Sequence, residues 1–397
     1  MTDFAHTKSL FVLPEGVIYL DGNSLGPLPK AAAARVQKTV ESEWGNMLIS
    51  GWNKAGWMAQ PSHLGDRIAR LIGAPDGTVT LGDTLSVKVY QALAAALALR
   101  PDRKKIVSDN GNFPTDLYMA RGLIESLNAG HVLCTPAPED VADEIDTDLA
   151  VLMLTEVDYR TGRRHDMKAL TQAAHAVGAI VIWDLAHSAG AFPVDVAGCN
   201  ADFAVGCTYK YLNGGPGAPA FIYVAPEHIE NVQPALAGWL GHDAPFEFDL
   251  KYRAGTGIER MRVGTPPVLQ MAALETALDI WDLADLKDVQ AKSIDLTQAF
   301  IAEIEATCPS LTLASPRDPN TRGSQVSFAH PEGYAIMQAL IARGVIGDFR
   351  APNILRFGFT PLYIDMADVQ GAVAIIADIM TNDLWDRPEY KTRARVT

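Results

Sequence analysis

Seven short apolar runs stand between residues 75 and 225: TVTLG, KIVSD, HVLCT, LAVLMLTEV, AIVIWDLA, ADFAVGCTY and APAFIYV. Most show no alternation of apolar and polar positions, the mark of a strand buried on both faces. Between most of them lie segments with helical spacing of apolar residues, such as DMKALTQAAHAVG. Strands of this kind alternating with helices predict an α/β domain with a mostly parallel seven-stranded sheet, covered on both sides. Upstream, residues 1–55 read as an arm and a helix. VIYLDGNSLGPLPK (17–30) reads as a short strand and a turn-rich loop, with a helix opening at Pro29. After about residue 265, PPVLQMAALETALDIWDLA predicts a strong helix. GSQVSFAH, GVIGDF and ILRFGF, with GYAIMQALIAR among them, predict a smaller α+β unit. The expected division is an arm and helix over 1–55, a large domain over 56–260 and a small C-terminal domain over 261–397. The polar tail RPEYKTRARVT is expected to fray.

Composition narrows the function. At 397 residues the chain exceeds one ordinary core, which agrees with two domains. A net charge of −14 argues against a nucleic-acid partner, because phosphate backbones need a basic face. An anionic substrate would instead be met by a few placed arginines. Cys134, Cys199, Cys207 and Cys308 are scattered without a CxxC or a paired Cys/His spacing. Neither a zinc site nor a disulfide framework is therefore expected, and a reducing cytoplasm is the simplest compartment. MTDFAHTKSL does not read as a secretory signal, and ALAAALAL (92–99) is too short to span a bilayer, so no membrane partner is expected.

In open α/β sheets, ligands sit beyond the carboxyl ends of the strands. Asp184 closes one strand, with His187 one turn further on. Tyr209 and Lys210 follow another, and Thr155 ends a third. KIVSDNGNFPTD leads into Phe113, Thr115 and Asp116, while TVTLGDTLS leads through Thr84 and Ser86 into a helix. Lys210 is either a solvated strand-edge lysine or a desolvated amine able to form a Schiff base. Asp184 is either a structural ion-pair partner or a carboxylate that keeps a ring nitrogen protonated. Together the two suit pyridoxal phosphate, whose ring acts as an electron sink. The helix start after Thr84 offers free N–H groups for a phosphate, although either hydroxyl there could be an ordinary cap. Phe113 is either core or a cover for the ring. No GxGxxG follows a strand and no GxxxxGK occurs, so dinucleotide and P-loop sites lack their main signal.

YLDGNSLGPLP, NFPTD, DYRTG, WDLAHSAG, CTYKYLNGGPG, GWLGH, RVGTPP and RFGFTPLY resemble, in that order, the kynureninase family. These are pyridoxal-phosphate enzymes of the aspartate aminotransferase fold (fold type I), similar to class V aminotransferases. The resemblance runs from about residue 15 to 365. WDLAHSAG alone marks only the broad class; TYKYLNGGPG with GWLGH and PLY is narrower. It implies hydrolysis of the Cβ–Cγ bond of L-kynurenine to anthranilate and L-alanine, a step of tryptophan catabolism toward NAD. A cytoplasmic homodimer with shared active sites is implied as well.

By the same resemblance Lys210 forms the Schiff base and later takes the α-proton. Asp184 pairs with the pyridinium, and His187 lies close by. Phe113 stacks on the ring, with Thr115 and Asp116 in the same loop. Leu85 and Ser86 hold the phosphate and Tyr209 reaches it, either as a plain ligand or also as a proton relay. Thr155 stands near the ring hydroxyl. Trp239 and Thr265 line the site across the dimer interface, and Ser24 forms part of its wall. Arg356 grips the substrate α-carboxylate with two prongs. Trp52 and Thr265 stand where some animal members that favour 3-hydroxykynurenine have a histidine and an asparagine, which implies that unhydroxylated L-kynurenine is preferred here. The alternatives are another pyridoxal-phosphate enzyme, such as a cysteine desulfurase or an aminotransferase, and a non-catalytic scaffold. A desulfurase needs a mobile reactive cysteine, and the four cysteines lie in or beside predicted strands or after a helix. A scaffold has no reason to keep Lys210, Asp184 and Arg356 together.

Overall fold

The computed structural model describes residues 1–392. Its large sheet has seven strands: β1 (Val79–Leu81), β2 (Lys105–Val107), β3 (Val132–Cys134), β4 (Leu149–Thr155), β5 (Ile180–Asp184), β6 (Phe203–Gly206) and β7 (Phe221–Val224). Their spatial order is β1-β7-β6-β5-β4-β2-β3. Neighbours from β6 through β3 are parallel, and β7 runs against both β6 and β1. Each of the seven apolar runs in the sequence contributes one strand, so the sheet is mostly parallel as its pattern predicts.

The lack of alternation has a direct cause. Side chains along a strand point to opposite faces in turn, and here both faces are covered. Leu152, Leu154, Val181, Trp183, Ala204, Phe221 and Tyr223 enter one core. Val151, Met153, Ile180, Ile182, Phe203, Val205, Ile222 and Val224 enter another. The second core is closed by the helix Leu85–Leu99, whose Val89, Ala92, Leu93 and Ala96 lie against the sheet. The first is continuous with the C-terminal unit. Burying one such side chain contributes about 1.5–3 kcal/mol, against about 0–1 kcal/mol for an exposed ion pair. The two cores therefore hold the domain together, and its surface charges contribute little.

A second sheet follows: β8 (Thr312–Leu313), β9 (Gln325–Ala329), β10 (Asp348–Arg350) and β11 (Ile354–Gly358), antiparallel throughout in the order β8-β9-β11-β10. Its inner face packs Phe328 and Phe357 around Phe300 of the helix Leu286–Thr307, with ring centroids 6.1 and 5.1 Å apart. The N-terminal arm crosses this unit. Ile18–Tyr19 pairs in parallel with Val345–Ile346, and the Gly358 N–H donates to the Leu20 carbonyl at 2.7 Å. That crossing delivers Asp21, Asn23 and Ser24 to the seam between the two sheets.

Two expectations need correction. The first long helix begins at Ala32, not Pro29, because Leu28–Pro29 is used as a strand opposite Phe11–Val12. The tail forms a short helix at Pro388–Lys391; residues 393–397 lie outside the described chain. Among the described residues no helix is long and apolar enough to cross a membrane.

The arm also backs the lysine segment. The Gly26 N–H donates to the Tyr209 carbonyl at 2.8 Å. A Cβ on Gly26 would stand 2.6 Å from Asn213 Cα and 2.7 Å from the Lys210 carbonyl oxygen. Gly26→Ala is therefore expected to destabilise the fold by about 1–3 kcal/mol through overpacking, measured by denaturant unfolding. A loss below about 0.5 kcal/mol would show that this loop yields freely.

Candidate active site

The ends of three adjacent parallel strands build the site. Register places Thr155 of β4 opposite Asp184 of β5, and Asp184 opposite Val205 of β6. Beyond β6 the chain turns sharply: the Asn213 N–H donates to the Lys210 carbonyl at 2.9 Å and the Gly214 N–H to the Thr208 carbonyl at 2.8 Å. Asn213 takes the left-handed conformation, φ 58°, that this turn requires. Lys210 is thereby displayed at the sheet edge next to Asp184. Ser24, Leu85, Phe113, Thr155, Asp184, His187, Tyr209, Lys210 and Arg356 all line one cleft of about 610 Å³ including its mouth.

Lys210 Nζ lies 3.0 Å from His187 Nε2. Burial, then the charges of Lys210 and two arginines, push the His187 imidazole well below its usual range. It is therefore neutral and within hydrogen-bond reach of the Lys210 amine. Asp184 Oδ1 accepts the Ala186 N–H at 2.8 Å, and Oδ2 lies 3.3 Å from the Thr155 hydroxyl. Burial raises this carboxyl above its ordinary value even though Lys210 and the Ala186 N–H pull the other way. Behind it lies Asp116, pushed well above the usual range by burial and by the charge of Asp184. Asn112 ties the wall together: its Oδ1 accepts from the Thr155 hydroxyl and, at 2.6 Å, from the Phe113 N–H. The exposed Phe113 ring meets Tyr159 edge-on at 5.2 Å.

The opposite wall is cationic. Arg356, 1 % exposed, donates from Nε to Asp348 Oδ1 at 2.5 Å and from Nη2 to Asp348 Oδ2. Its Nη2 also reaches Ser24 Oγ at 3.0 Å, and Nη1 donates to the Tyr159 carbonyl. Burial works to raise Asp348, but these hydrogen bonds and the arginine charges hold it below its usual range. The neighbouring Arg350 also faces the cleft.

Several expected residues stand off this cleft. Ser86 is the residue after Leu85 on the helix and is absent from the cleft wall. Thr115 and Asp116 lie in the first turn of the helix Pro114–Leu127, behind Phe113. Trp52 packs edge-on against Trp57 at 6.0 Å. Trp239 lies in a separate surface hollow with Phe248 and Tyr252, and Thr265 is exposed. Asn112, Tyr159, Asp348 and Arg350 were not singled out from the sequence. A detectable signal existed for the last two: GVIGDFR carries an acid and a base at alternate positions within an expected strand, and buried charges of that kind are rare unless paired.

The donor set fits pyridoxal phosphate. The buried Asp184 carboxyl would accept a pyridinium N–H, and Lys210 would supply the amine for the aldehyde carbon. His187 Nδ1 has no hydrogen-bond partner among the described residues. Thr84 is an extended N-cap without a side-chain cap bond, which leaves the first N–H groups of the helix Leu85–Leu99 available to a phosphate. Fold and site together define a pyridoxal-phosphate enzyme of fold type I.

Solved structures of the same fold include a cysteine desulfurase of Thermococcus onnurineus, with TM-score 0.80 and 18% identity over 96% of this chain and 99% of that one. A cysteine desulfurase of Escherichia coli is similar at TM-score 0.80 and 20% identity, over 96% of this chain and 99% of its own. Residues 289–376 match the kynureninase C-terminal domain family. Kynureninases of Burkholderia pseudomallei and Pseudomonas fluorescens are 51% and 49% identical, each over 99% of this chain and 96% of theirs. The chain belongs to the kynureninase family.

Lys210→Ala is expected to abolish the visible band of lysine-bound cofactor that borohydride erases in the wild type. It should also lower turnover at least about a thousandfold, within the range for loss of a positioned acid–base group. A wild-type band or wild-type turnover in this variant would remove Lys210 from the chemistry.

Proposed function

We propose that this enzyme hydrolyses the Cβ–Cγ bond of L-kynurenine to anthranilate and L-alanine. The observation that carries the proposal is the convergence of Lys210, Asp184 and an arginine pair on one cleft, in a chain half identical to kynureninases over nearly its full length. When bound, pyridoxal phosphate supplies an electron sink for the bond cleavage. Lys210 Nζ is placed to carry a proton to and from the substrate α-carbon. Asp184, steadied by Thr155 and the Ala186 N–H, would hold the ring nitrogen of the bound cofactor. The neighbouring Cys207 and burial push the Tyr209 phenol up, so it keeps its proton and would donate or relay protons near a bound phosphate. Phe113 covers one face of the ring, and the arginines orient the substrate carboxylate. Leu85 and Ser86 at the helix start, and Thr115 and Asp116 behind Phe113, complete the cofactor contacts in this reading.

A desulfurase reading finds no support in the thiols. Cys207 and Cys308 are buried, Cys134 and Cys199 are half-buried, and none lines the cleft. We also propose a cytoplasmic homodimer with shared sites, and a division into arm, cofactor domain and small domain near residues 55 and 260. Trp52, Trp239 and Thr265 lie off the cleft of their own chain, where a second copy would complete it. An apolar groove of about 720 Å³ between Val12, Leu28, Val36 and Leu269, together with exposed Leu48, Ile49, Phe246 and Phe248, supports such a contact.

Purified holoenzyme is expected to release fluorescent anthranilate from L-kynurenine, with a higher kcat/KM than for 3-hydroxykynurenine. Absence of anthranilate would overturn the reaction, and the reverse preference would overturn the reading of Trp52 and Thr265. A pH effect follows from Asp21. Burial, then the adjacent Asp348 charge, push its carboxyl up to about 7. Below that pH Asp21 is neutral; above it a second negative charge stands beside Arg350 and Arg356 and opposes a substrate carboxylate. KM for kynurenine should rise through about pH 7 by up to roughly tenfold. Asp21→Asn should flatten that rise, and an unchanged KM profile in the variant would exclude Asp21 as its source.

A further inference from the structure

We infer that Lys88 is a positioning residue for the cofactor phosphate: its buried ammonium neutralises Asp83, a carboxylate at the helix start that would otherwise repel the phosphate. The inference rests on the reading of that helix start as the phosphate site, and it adds a residue that does not line the cleft.

Asp83 directly precedes Thr84, the cap of the helix Leu85–Leu99. A carboxylate in that place competes with a phosphate for the positive end of the helix dipole and repels its charges. Its backbone is held there. The Gly82 N–H donates to the Ala220 carbonyl at 3.0 Å, and the Ala220 N–H donates to the Asp83 carbonyl at 3.1 Å, which fastens the residue at the edge of β7. Asp83 also takes φ 56°, a conformation uncommon for a residue with a side chain. Among the described residues its ion pair is with Lys88, at 3.3 Å.

Lys88 lies in the first turn of this helix and is 0 % exposed. Helical side chains lean toward the N-terminus, so its stem runs back beneath the helix start. Nζ ends 3.3 Å from Asp83 Oδ2, 2.9 Å from Gln91 Oε1 and 3.5 Å from the Met261 carbonyl. Gln91 Nε2 donates to the same carbonyl at 3.2 Å, which leaves Oε1 as the atom that faces Lys88. Three acceptors without protons thus surround Nζ. They match an ammonium with three N–H groups, and a neutral amine would leave one of them short. Burial works to strip the proton from Lys88, the Asp83 charge opposes this, and Arg262 adds to the loss. Arg262 has an acid of its own, Glu259, at 2.6 Å. A lysine at this depth keeps its charge only with a partner beside it, and Asp83 is that partner. Without Lys88 the Asp83 charge would stand unopposed before the phosphate site.

The test compares cofactors with and without the phosphate on the full-length chain. Protein freed of cofactor is titrated with pyridoxal 5′-phosphate and with pyridoxal, which lacks only that group, read by the visible absorbance of the lysine-bound form. Lys88→Gln is expected to weaken pyridoxal 5′-phosphate at least about fivefold, the worth of a charge at a helix terminus. Pyridoxal affinity should stay within about twofold, whereas a merely structural role would weaken both. Adding Asp83→Asn to Lys88→Gln should bring pyridoxal 5′-phosphate back to within about twofold of wild type. Asp83→Asn alone, which suits the left-handed backbone, should tighten pyridoxal 5′-phosphate at least about twofold; it serves if Lys88→Gln fails to fold. Equal losses for both ligands, a loss that Asp83→Asn does not reverse, or phosphate-cofactor binding unchanged in these variants would overturn the assignment. Wild-type protein that prefers the phosphorylated cofactor but does not cleave kynurenine would overturn the proposed reaction instead and leave the role of Lys88 standing.

Discussion

Asp184 is a carboxyl group taken out of water and given few donors. One backbone N–H, one shared hydroxyl and the neighbouring Asp116 do not replace the hydration it loses, so burial holds it above its ordinary range even with the Lys210 charge nearby. Such a group is costly unless a positively charged partner arrives. In the proposed reading the cofactor ring nitrogen would be that partner, and Lys210 in the same cleft would supply the second attachment. Most other features of the site serve to hold those two groups at that spacing.

The spacing comes from the sheet. Because β4, β5 and β6 are parallel neighbours, their carboxyl ends are level, and Thr155, Asp184 and the Lys210 turn emerge side by side. Two cores grip the sheet from opposite faces, which fixes those strands against sliding. Gly26 and Asn213 then set the backbone of the lysine turn from behind. The cationic wall is built on different principles. It needs the antiparallel register of β10 with β11 and the arm that crosses the small unit, so that Ser24 and Asp21 meet Asp348, Arg350 and Arg356 at the seam.

Both walls use the same physical device, a buried charge whose partner is part protein and part ligand. On the cofactor side the unsatisfied charge is an acid. On the other wall two guanidiniums, Arg350 and Arg356, share the one carboxylate of Asp348. A cleft with one wall of each sign orients an amino acid whose carboxylate and reacting carbon must point to opposite ends. The apolar faces around Val12, Leu28 and Leu269, and the exposed aromatic residues Phe246 and Phe248, lie outside this arrangement.

By itself the sequence determined the strands, their burial and which residues stand at the strand ends that line the cleft. Those features are local: an unbroken apolar run means two covered faces, and a charged residue just past such a run stands at a strand end. TYKYLNGGPG and WDLAHSAG carried Lys210, Asp184 and His187 on that logic. Only the tertiary structure showed what Arg356 pairs with. A sequence offers an arginine in an apolar strand but not the residue across the ladder, and that partner, Asp348, lies eight positions away on a neighbouring strand. It likewise decided that Pro29 joins a strand with Phe11 and that Ser86, Thr115 and Trp239 stand off the cleft of their own chain. Pairing and register depend on where distant segments meet, and no periodicity within a segment encodes them.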